Sequence, residues 1–559
     1  MPPSKKKPKL TRPWQEVAKE ALDYRDASIT QAWPDMPELP EHLPKNVSSL
    51  PSDYLSNEEI QITEMLPENL LSKLSSGKLT STSVSTAFLR RAALAQKLTN
   101  CVTELLPSRT LARAKYLDAY FTEHKKPLGP LHGLPISVKE HIGMKDLGLN
   151  AGYIAWWEKT AKDDARLLKI LWKAGAVFHA RTTQPQCLMH LETDSNYYGT
   201  TVNPYNQDTS AGGSSGGEGA LIGMRGSCLG IGTDIGGSIR SPAANNGLYG
   251  LKPTSFRIPT DGWSSTPPSA DPIPTVIGPL STSISGISIF MSVVLSAQPW
   301  RLEPYLVPIP WVLRRIPSSP SQPLRIAIMY SDGVVQPHPP ITRTLKNLAS
   351  ELEALPNVTV KEWKPHLHDE SWAIISTLYF PDAGASDIAI MEESGEPMLP
   401  LTRWIIKENP CVKNLSMGEL WYWLEEREAY KSEYAKVWEE FDGGNPPVVL
   451  ICPVGPGVAP KHNTAKYWGY TSVWNLLDYP GLVVPLDRVR KEVDVKDEGY
   501  EPMNDIDREN WELYDPEVFD GLPVSLQIVG RRFEDEKCIA VAEWLEEEGL
   551  IGNWQTRGD

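Results

Sequence analysis

Apolar positions along the chain fall into two patterns that follow one another repeatedly. Helical spacing predicts helices at 14–24, within 68–99, at 164–174 and at 341–355. Apolar runs too short for helices predict strands, which lie at 101–105, 134–139, 176–180, 324–330, 358–360, 448–452 and 522–529. Because the two kinds of element alternate, the pattern predicts an α/β fold with a sheet covered by helices on both faces.

Three further segments stand out from this alternation. Residues 33–53 are rich in proline and predict an extended arm on the surface. The apolar stretch 286–297 is shorter than the roughly 20 residues that cross a bilayer, so it predicts a buried helix and no membrane span. Residues 420–441 mix aromatic and charged residues and predict one or two amphipathic helices. Core or interface packing is the favoured interpretation of these aromatics, and a wall of a ligand entrance is the alternative.

Composition and charge narrow the class of protein. Of 559 residues, 41% are hydrophobic and 22% charged, which excludes a disordered or fibrous chain. The net charge of −15 argues against a nucleic-acid binder and favours a soluble cytoplasmic protein. Six scattered cysteines without a CxxC pair predict reduced thiols, and we expect no metal and no cofactor. The basic segment 4–9 is interpreted as a solvated tail, with a nuclear import signal as the alternative.

The segment 210–254 is dense in glycine and serine yet is not typical of a linker. Its runs 220–224 and 228–231 are apolar, so the glycines interrupt buried structure. Near its centre, Asp234 precedes four residues whose N–H groups could surround one oxygen, namely Ile235, Gly236, Gly237 and Ser238. A helix from Ser238 toward Ala244 would favour negative charge there. The alternative is a glycine turn in which Ser238 caps that helix.

A competing motif lies upstream in the same segment. Residues 212–216 fit GxSxG, the nucleophile elbow of α/β-hydrolases, with Ser214 as nucleophile. That mechanism needs a downstream histidine, and the candidates are His338, His366, His368 and His462. All four lie in polar or proline-rich sequence, and none is marked as a base.

A buried lysine is another possible base for a serine nucleophile. Lys139 ends the apolar run 134–138, which could hold its side chain inside the sheet. Burial would lower the pKa of its amine from about 10.4 toward neutrality. The alternative is a lysine whose amine simply extends to water.

These motifs together resemble the amidase signature family of Ser-Ser-Lys hydrolases. The resemblance rests on residues 129–139, GPLHGLPISVK, on GGSSGGE at 212–218 and on GTDIGGSIR at 232–240. It extends over nearly the whole chain and is strongest to fungal acetamidases and general amidases. It implies one large domain of α/β/α layers around a central mixed, twisted sheet. We therefore divide the chain into a helix and proline-rich arm at 1–55 and a catalytic domain at 56–559.

The family resemblance also assigns roles to residues. Ser238 would be the nucleophile, Ser214 the bridging serine after a cis peptide with Gly213, and Lys139 the base. The N–H groups of residues 235–238 would form the oxyanion hole. Three further residues would orient the loops through hydrogen bonds, namely Ser215, Asp234 and Arg240.

The implied activity is hydrolysis of a small-molecule carboxamide, through a seryl acyl-enzyme, to a carboxylate and ammonia or an amine. Four alternatives stay open: an amidotransferase A-type subunit, an ester hydrolase, a fatty-acyl amide hydrolase, and a binding protein that keeps only the fold. No nucleic-acid partner is expected, and a homodimer stays open.

Overall fold

A computed structural model describes residues 11–265, 272–313, 316, 323–552 and 554–557. The basic segment 4–9 lies outside the described residues. The strands in this part of the chain are β1 (Val102–Leu105), β2 (Pro135–Lys139), β3 (Val177–Thr182), β4 (Asp194–Ser195), β5 (Gly199–Thr200), β6 (Leu229–Asp234), β7 (Tyr249–Lys252), β8 (Val276–Ser281), β9 (Leu324–Ile328), β10 (Val358–Glu362), β11 (Val449–Pro453), β12 (Gly481–Arg488) and β13 (Pro523–Val529).

The α-helices of the described residues are α1 (Trp14–Ala32), α2 (Asn57–Thr63), α3 (Pro67–Ser75), α4 (Ser81–Thr99), α5 (Pro107–His124), α6 (Arg166–Lys173), α7 (Gly216–Gly223), α8 (Arg240–Asn245), α9 (Ile284–Ser296), α10 (Pro339–Glu353), α11 (His368–Tyr379), α12 (Ala385–Ser394), α13 (Pro400–Arg403), α14 (Met417–Gly444), α15 (Gly469–Leu476), α16 (Asp505–Glu512), α17 (Pro516–Phe519) and α18 (Asp535–Glu547).

Eleven of the strands form one mixed sheet in the order β1-β3-β2-β6-β8-β7-β12-β13-β11-β9-β10. Strand β2 runs parallel to β3 and β6, and β9 runs parallel to β10 and β11. The remaining pairs in this sheet are antiparallel. Helices pack against the sheet, so the predicted α/β fold with a helix-covered mixed sheet is confirmed.

The register of β2 and β6 determines where polar side chains meet. Ser137 pairs with Gly230 in parallel register, so both strands end at the same edge of the sheet. Lys139 is the last residue of β2 and Asp234 the last of β6. Both side chains are fully buried, because α7 and the loops around it cover this edge.

The helices and strands predicted from the apolar pattern are confirmed. Most of their ends shift by a few residues, and α1 extends eight residues beyond its predicted end at residue 24. The helix predicted at 164–174 is α6, and Gly175 beyond it has the left-handed φ of 101° that ends helices. The predicted buried helix at 286–297 is α9. The region 68–99 is divided into α3 and α4 rather than one helix.

The proline-rich arm lies on the surface, as predicted. It contains one short 3-10 turn, Leu50–Asp53, and is otherwise irregular. However, Val47 is fully buried, and its N–H donates to the carbonyl of Pro204 at 2.9 Å. The arm is therefore pinned to the body of the molecule, and the boundary at residue 55 stays a prediction.

The aromatic segment lies in α14, whose backbone leaves the helical conformation at Phe441, Asp442 and Gly443. Its aromatic side chains separate into a buried and an outer group. Tyr430, Tyr434 and Trp438 are buried, whereas Trp421 and Tyr422 are more than half exposed. Tyr434 and Trp438 pack against Trp363, which is the core packing that the sequence favoured.

All six cysteines are free thiols, as predicted, and five of them are buried. Within the described ranges, no helix has both the length and the apolar character needed to cross a bilayer.

Candidate active site

The Lys139 amine lies at the centre of a cluster of hydroxyl groups. Its Nζ atom is 2.7 Å from Ser214 Oγ, 3.1 Å from Ser215 Oγ and 3.0 Å from Thr233 Oγ1. Burial lowers the pKa of Lys139 to about 7, although the nearby Asp234 and Glu218 oppose the shift. A neutral amine is therefore accessible near physiological pH.

Ser214 and Ser215 stand immediately before α7. The peptide between Gly213 and Ser214 is cis, as the family resemblance implied. The Ser215 hydroxyl accepts the N–H of Thr233 at 3.2 Å and donates to its carbonyl at 3.3 Å. These bonds join the start of α7 to the end of β6, and they hold Ser215 beside Lys139.

Asp234 organises the loop that follows β6. One carboxylate oxygen accepts the N–H of Gly237 at 2.9 Å, and the other accepts the N–H of Ile239 at 3.1 Å. The Arg240 guanidinium forms two bonds to the same carboxylate, at 3.0 and 3.1 Å. Asn475 donates a further bond at 3.0 Å. Asp234 and Arg240 are thus hydrogen bonded to each other, and Asp234 also to the main chain of the loop between them.

Ser238 lies inside this loop and is almost completely buried. Its carbonyl accepts the N–H of Ser215 at 3.1 Å, which ties the two serine loops together. The Ser238 hydroxyl makes no hydrogen bond to Ser214 or to another described residue. Hydrogen bonds between catalytic groups are often long in ligand-free enzymes and shorten when substrate binds.

The helix expected from Ser238 toward Ala244 is present, with a start two residues later. Helix α8 begins at Arg240, its N-cap position is Ile239, and no side chain caps it. Ser238 is therefore neither the first helical residue nor a cap, because Asp234 satisfies the N–H groups of Ile239 and Arg240 instead.

The four N–H groups of the expected oxyanion hole are not equivalent. Gly237 has a φ of 135°, a conformation that favours glycine, and its N–H is used by Asp234. Among the described residues, no acceptor binds the N–H groups of Ile235, Gly236 and Ser238. Three donors are thus free for a ligand oxygen, rather than the four that were expected.

Two side chains far away in sequence hold the carbonyl groups of this loop. The Tyr379 hydroxyl donates to the carbonyl of Ile235 at 2.8 Å, and the Thr471 hydroxyl donates to that of Gly236 at 2.6 Å. A peptide plane points its C=O and N–H in opposite directions. Tyr379 therefore directs the Gly236 N–H away from itself, a role that no local signal in the sequence reveals.

Sequence reasoning also left three buried residues around Lys139 without a role. Thr233 contacts Lys139 directly, and His141 Nε2 lies 3.0 Å from the Thr233 hydroxyl. Glu218 accepts hydrogen bonds from Ser137 at 2.5 Å and Thr182 at 2.8 Å. Burial raises the pKa of Glu218 to about 8. The available signal was position: Thr233 and Glu218 lie inside the motifs 232–240 and 212–218, and His141 follows the motif 129–139 by two residues.

The nucleophile-elbow alternative finds no histidine base for Ser214 among the described residues. None of the four downstream histidines hydrogen bonds to Ser214. His338 and His462 contact the carbonyls of Asn510 and Gln207, and His368 contacts the Tyr434 hydroxyl. His366 lies beside Glu433. The polar partner of Ser214 is Lys139.

No group of three His, Cys, Asp or Glu side chains that could hold a metal ion occurs among the described residues. A large cavity opens beside the Ser238 loop, with a volume of about 1010 Å³. Its wall includes Ile235, Tyr379, Phe380, Trp156 and Trp263. Charged side chains line it as well, among them Lys159, Arg166, Asp261 and Glu303, so the cavity joins a mixed apolar and polar surface to Ile235, the first residue of the loop.

Comparisons with known proteins agree with this arrangement. The family model described as "Amidase" matches residues 83–539. A Schizosaccharomyces pombe protein named as an amidase is 43% identical over 537 residues, which cover 96% of this chain and 99% of that protein. An acetamidase of Emericella nidulans is 39% identical over 555 residues, covering 97% of this chain and 99% of that protein.

Among solved structures, a fatty acid amide hydrolase superposes with a TM-score of 0.89 at 32% identity, covering 98% of this chain and 97% of that one. Family model, relatives and structure all extend over most of the chain. The chain therefore belongs to the amidase family and is a hydrolase that acts on amide C–N bonds.

Proposed function

We propose that this hydrolase cleaves amides through a covalent acyl-enzyme on Ser238, with Ser214 as proton shuttle and Lys139 as base. The observation that carries the proposal is the buried Lys139 amine, 2.7 Å from the Ser214 hydroxyl. A neutral amine can accept a proton, and the lowered pKa of Lys139, about 7, makes that form abundant at neutral pH.

In the first step, the Ser238 hydroxyl attacks the amide carbonyl carbon and passes its proton to Ser214. Ser214 passes its own proton to Lys139, which becomes charged. The same relay then returns the proton to the amide nitrogen, the C–N bond breaks, and ammonia or an amine leaves. Proton delivery matters because an amide anion is a poor leaving group. Water then attacks the ester carbonyl and releases the carboxylate, with the relay acting once more.

The negative oxygen of each tetrahedral intermediate needs hydrogen-bond donors. The N–H groups of Ile235, Gly236 and Ser238 are proposed for this role, since Asp234 uses that of Gly237. One such donor contributes roughly 3 kcal/mol to lowering the barrier in other hydrolases. Ser215, Asp234 and Arg240 are proposed to fix the loops without touching the substrate.

The cavity supports a proposal about substrate size. Small-molecule sites commonly occupy roughly 300–1,000 Å³, and this cavity of about 1010 Å³ is at the upper end. We therefore propose an acyl group much larger than acetyl. A panel of amides from acetamide to aryl and long-chain acyl amides tests this. A highest kcat/KM for acetamide would contradict it.

Covalent labelling tests the mechanism directly. A fluorophosphonate probe should label the intact protein, and Ser238→Ala should abolish labelling while folding is retained. Ser214→Ala should slow labelling and hydrolysis together but leave the reactive serine in place. If Ser214→Ala abolishes labelling and Ser238→Ala leaves it unchanged, the proposed nucleophile is wrong and the elbow mechanism replaces it.

We also propose that residues 56–559 act as one catalytic domain in the cytoplasm. The net charge of −15 and the six free thiols support that compartment. Fluorescence of a tagged full-length chain tests the compartment, and accumulation in the nucleus would contradict it. Size-exclusion chromatography with light scattering would determine whether the chain forms a homodimer.

A further inference from the structure

His141 is a buried histidine two residues beyond Lys139, and both of its ring nitrogens have partners. Nδ1 lies 2.7 Å from the carbonyl oxygen of Ser264, and Nε2 lies 3.0 Å from the Thr233 hydroxyl. The ring stacks on Trp263 with the centroids 5.9 Å apart. His141 thus has a fixed orientation between a main-chain acceptor and a hydroxyl group.

The partner of Nδ1 determines which nitrogen carries the proton. A carbonyl oxygen can only accept, so Nδ1 must donate. Burial and the neighbouring Lys139 lower the pKa of His141 to about 3, and the ring is neutral at physiological pH. Nε2 therefore has a lone pair, and the Thr233 hydroxyl must donate to it.

This tautomer determines how Thr233 meets the lysine. Because the Thr233 proton points to His141, only an oxygen lone pair is left to face Nζ of Lys139 at 3.0 Å. The Ser215 hydroxyl is restricted in the same way, since it donates to the Thr233 carbonyl. Both hydroxyl oxygens are consequently acceptors toward Lys139.

A neutral amine has two N–H donors and one lone pair. When the two donors are directed to Thr233 and Ser215, the lone pair points to Ser214 Oγ, the third neighbour at 2.7 Å. We propose that His141 is a positioning residue for the base, because it holds Thr233 as an acceptor and so directs the lone pair of Lys139 to the Ser214 proton. This inference rests on the mechanism under Proposed function.

Without an acceptor at position 141, the Thr233 hydroxyl can rotate and donate to Lys139 itself. It would then compete with Ser214 for the lone pair and stabilise the neutral amine. The ionisable groups near Lys139 are Asp234 at the end of β6 and Glu218 on α7, and Arg181 lies near His141. None of these changes when position 141 is substituted, so a shift in the titration of Lys139 reports on Thr233.

The first test compares His141→Phe with His141→Gln. Phenylalanine retains a ring against Trp263 but cannot accept a proton, whereas glutamine keeps an acceptor oxygen. His141→Phe should lower kcat at high pH by about tenfold or more, with KM little changed, because proton transfer is impaired. The acidic limb of the kcat/KM profile should move to lower pH. His141→Gln should recover much of both properties.

The second test is a double-mutant cycle with Thr233→Val, in which Thr233→Ser serves as the matched control. Thr233→Val removes the acceptor altogether and should also move the acidic limb to lower pH, whereas Thr233→Ser should behave like the parent. Because His141 acts through Thr233, the double variant should be no slower than Thr233→Val alone. Circular dichroism and thermal melting check that each variant folds.

Several outcomes would overturn the inference. These are a parental rate and pH profile for folded His141→Phe, equal losses in folded His141→Phe and His141→Gln, or rate losses that multiply in the double variant. If His141→Phe does not fold, an unshifted acidic limb in Thr233→Val is the deciding result against it. If Lys139→Met loses activity while His141→Phe has no effect, only this inference is rejected. If Lys139→Met stays active, the proposed mechanism itself is rejected.

Discussion

Arg240 Nη2 lies 3.0 Å from Asp234 Oδ1, in an ion pair whose two side chains are fully buried. The five residues between them contain the Ser238 loop. Buried ion pairs are often no more stable than apolar contacts, so this pair is better explained by the geometry it imposes. It fixes the two ends of the loop while the carboxylate of Asp234 also binds N–H groups within it.

Asp234→Asn should therefore damage both stability and activity. The substitution leaves Arg240 buried without its counter-ion, which typically costs about 3 kcal/mol or more of the free energy of unfolding. Urea denaturation at pH 7 would measure the loss, and kcat should fall because the loop is no longer held. Asp505→Asn is the control, since the Asp505 carboxylate is almost fully exposed beside Arg508. An unchanged midpoint for Asp234→Asn would contradict the structural role.

Lys139→Met should remove the pH dependence of acylation near neutrality. In the parent, kcat/KM should rise as pH passes about 7, because only the neutral amine accepts a proton and the pKa of Lys139 is about 7. The variant should fold and lose roughly three orders of magnitude in rate. Stopped-flow acylation with an activated amide measures both effects.

Lys252 provides a matched control for the lysine substitution. It is also buried, burial lowers its pKa to about 8, and its amine donates to the carbonyl of Tyr479 at 2.9 Å. Lys252→Met should alter stability but keep the acidic limb of the rate profile. If the acidic limb disappears in Lys252→Met and persists in Lys139→Met, the base is Lys252 and the proposed role of Lys139 is wrong.

Glu218→Gln should make the stability of the fold less dependent on pH. Burial raises the pKa of Glu218 to about 8, so the folded state keeps a proton that the unfolded state loses above about 4.3. The free energy of unfolding of the parent should thus fall as pH rises from about 4.5 to 8. Glutamine can still bond to Ser137 and Thr182 and carries no charge.

Thermal melting of the parent and Glu218→Gln across this pH range measures the difference. The stability of the variant, measured relative to the parent at the same pH, should be higher at pH 8 than at pH 5. The variant should also retain most of its activity, because Glu218 contacts no reacting group. Glu425→Gln on the exposed face of α14 is the control. Parallel stability curves for parent and Glu218→Gln would show that Glu218 titrates as it does in the unfolded chain.

Tyr379→Phe should slow catalysis while leaving the fold intact. It removes the hydroxyl that holds the carbonyl of Ile235, a bond of 2.8 Å. A neutral hydrogen bond contributes about 1 kcal/mol, and its loss from the transition state lowers kcat roughly fivefold. Tyr430→Phe removes a comparable buried bond, to the carbonyl of His366 at 2.9 Å, and should leave kcat unchanged. Equal kcat values for Tyr379→Phe and the parent would exclude this role.

Local pattern determined much of the architecture. Apolar runs such as 134–139 and 522–529 predicted strands because burial of a strand requires consecutive apolar side chains, whichever strand it pairs with. The motifs around Lys139, Ser214 and Ser238 indicated the family, because each of them is a contiguous segment that can be recognised without knowledge of the fold. The alternative in which Ser238 caps the following helix failed because the Asp234 carboxylate, four residues earlier, accepts the N–H groups of Ile239 and Arg240 instead.

The sequence by itself therefore determined the α/β class, the amidase family and the identity of the three candidate catalytic residues. Only the tertiary structure decided that Lys139 is buried among three hydroxyls, that Tyr379 holds the carbonyl of Ile235, and that His141 faces Thr233. The physical reason is that strand order and register bring together groups that are remote in sequence. The direction of each hydrogen bond, and hence the protonation state of each group, depends on those neighbours.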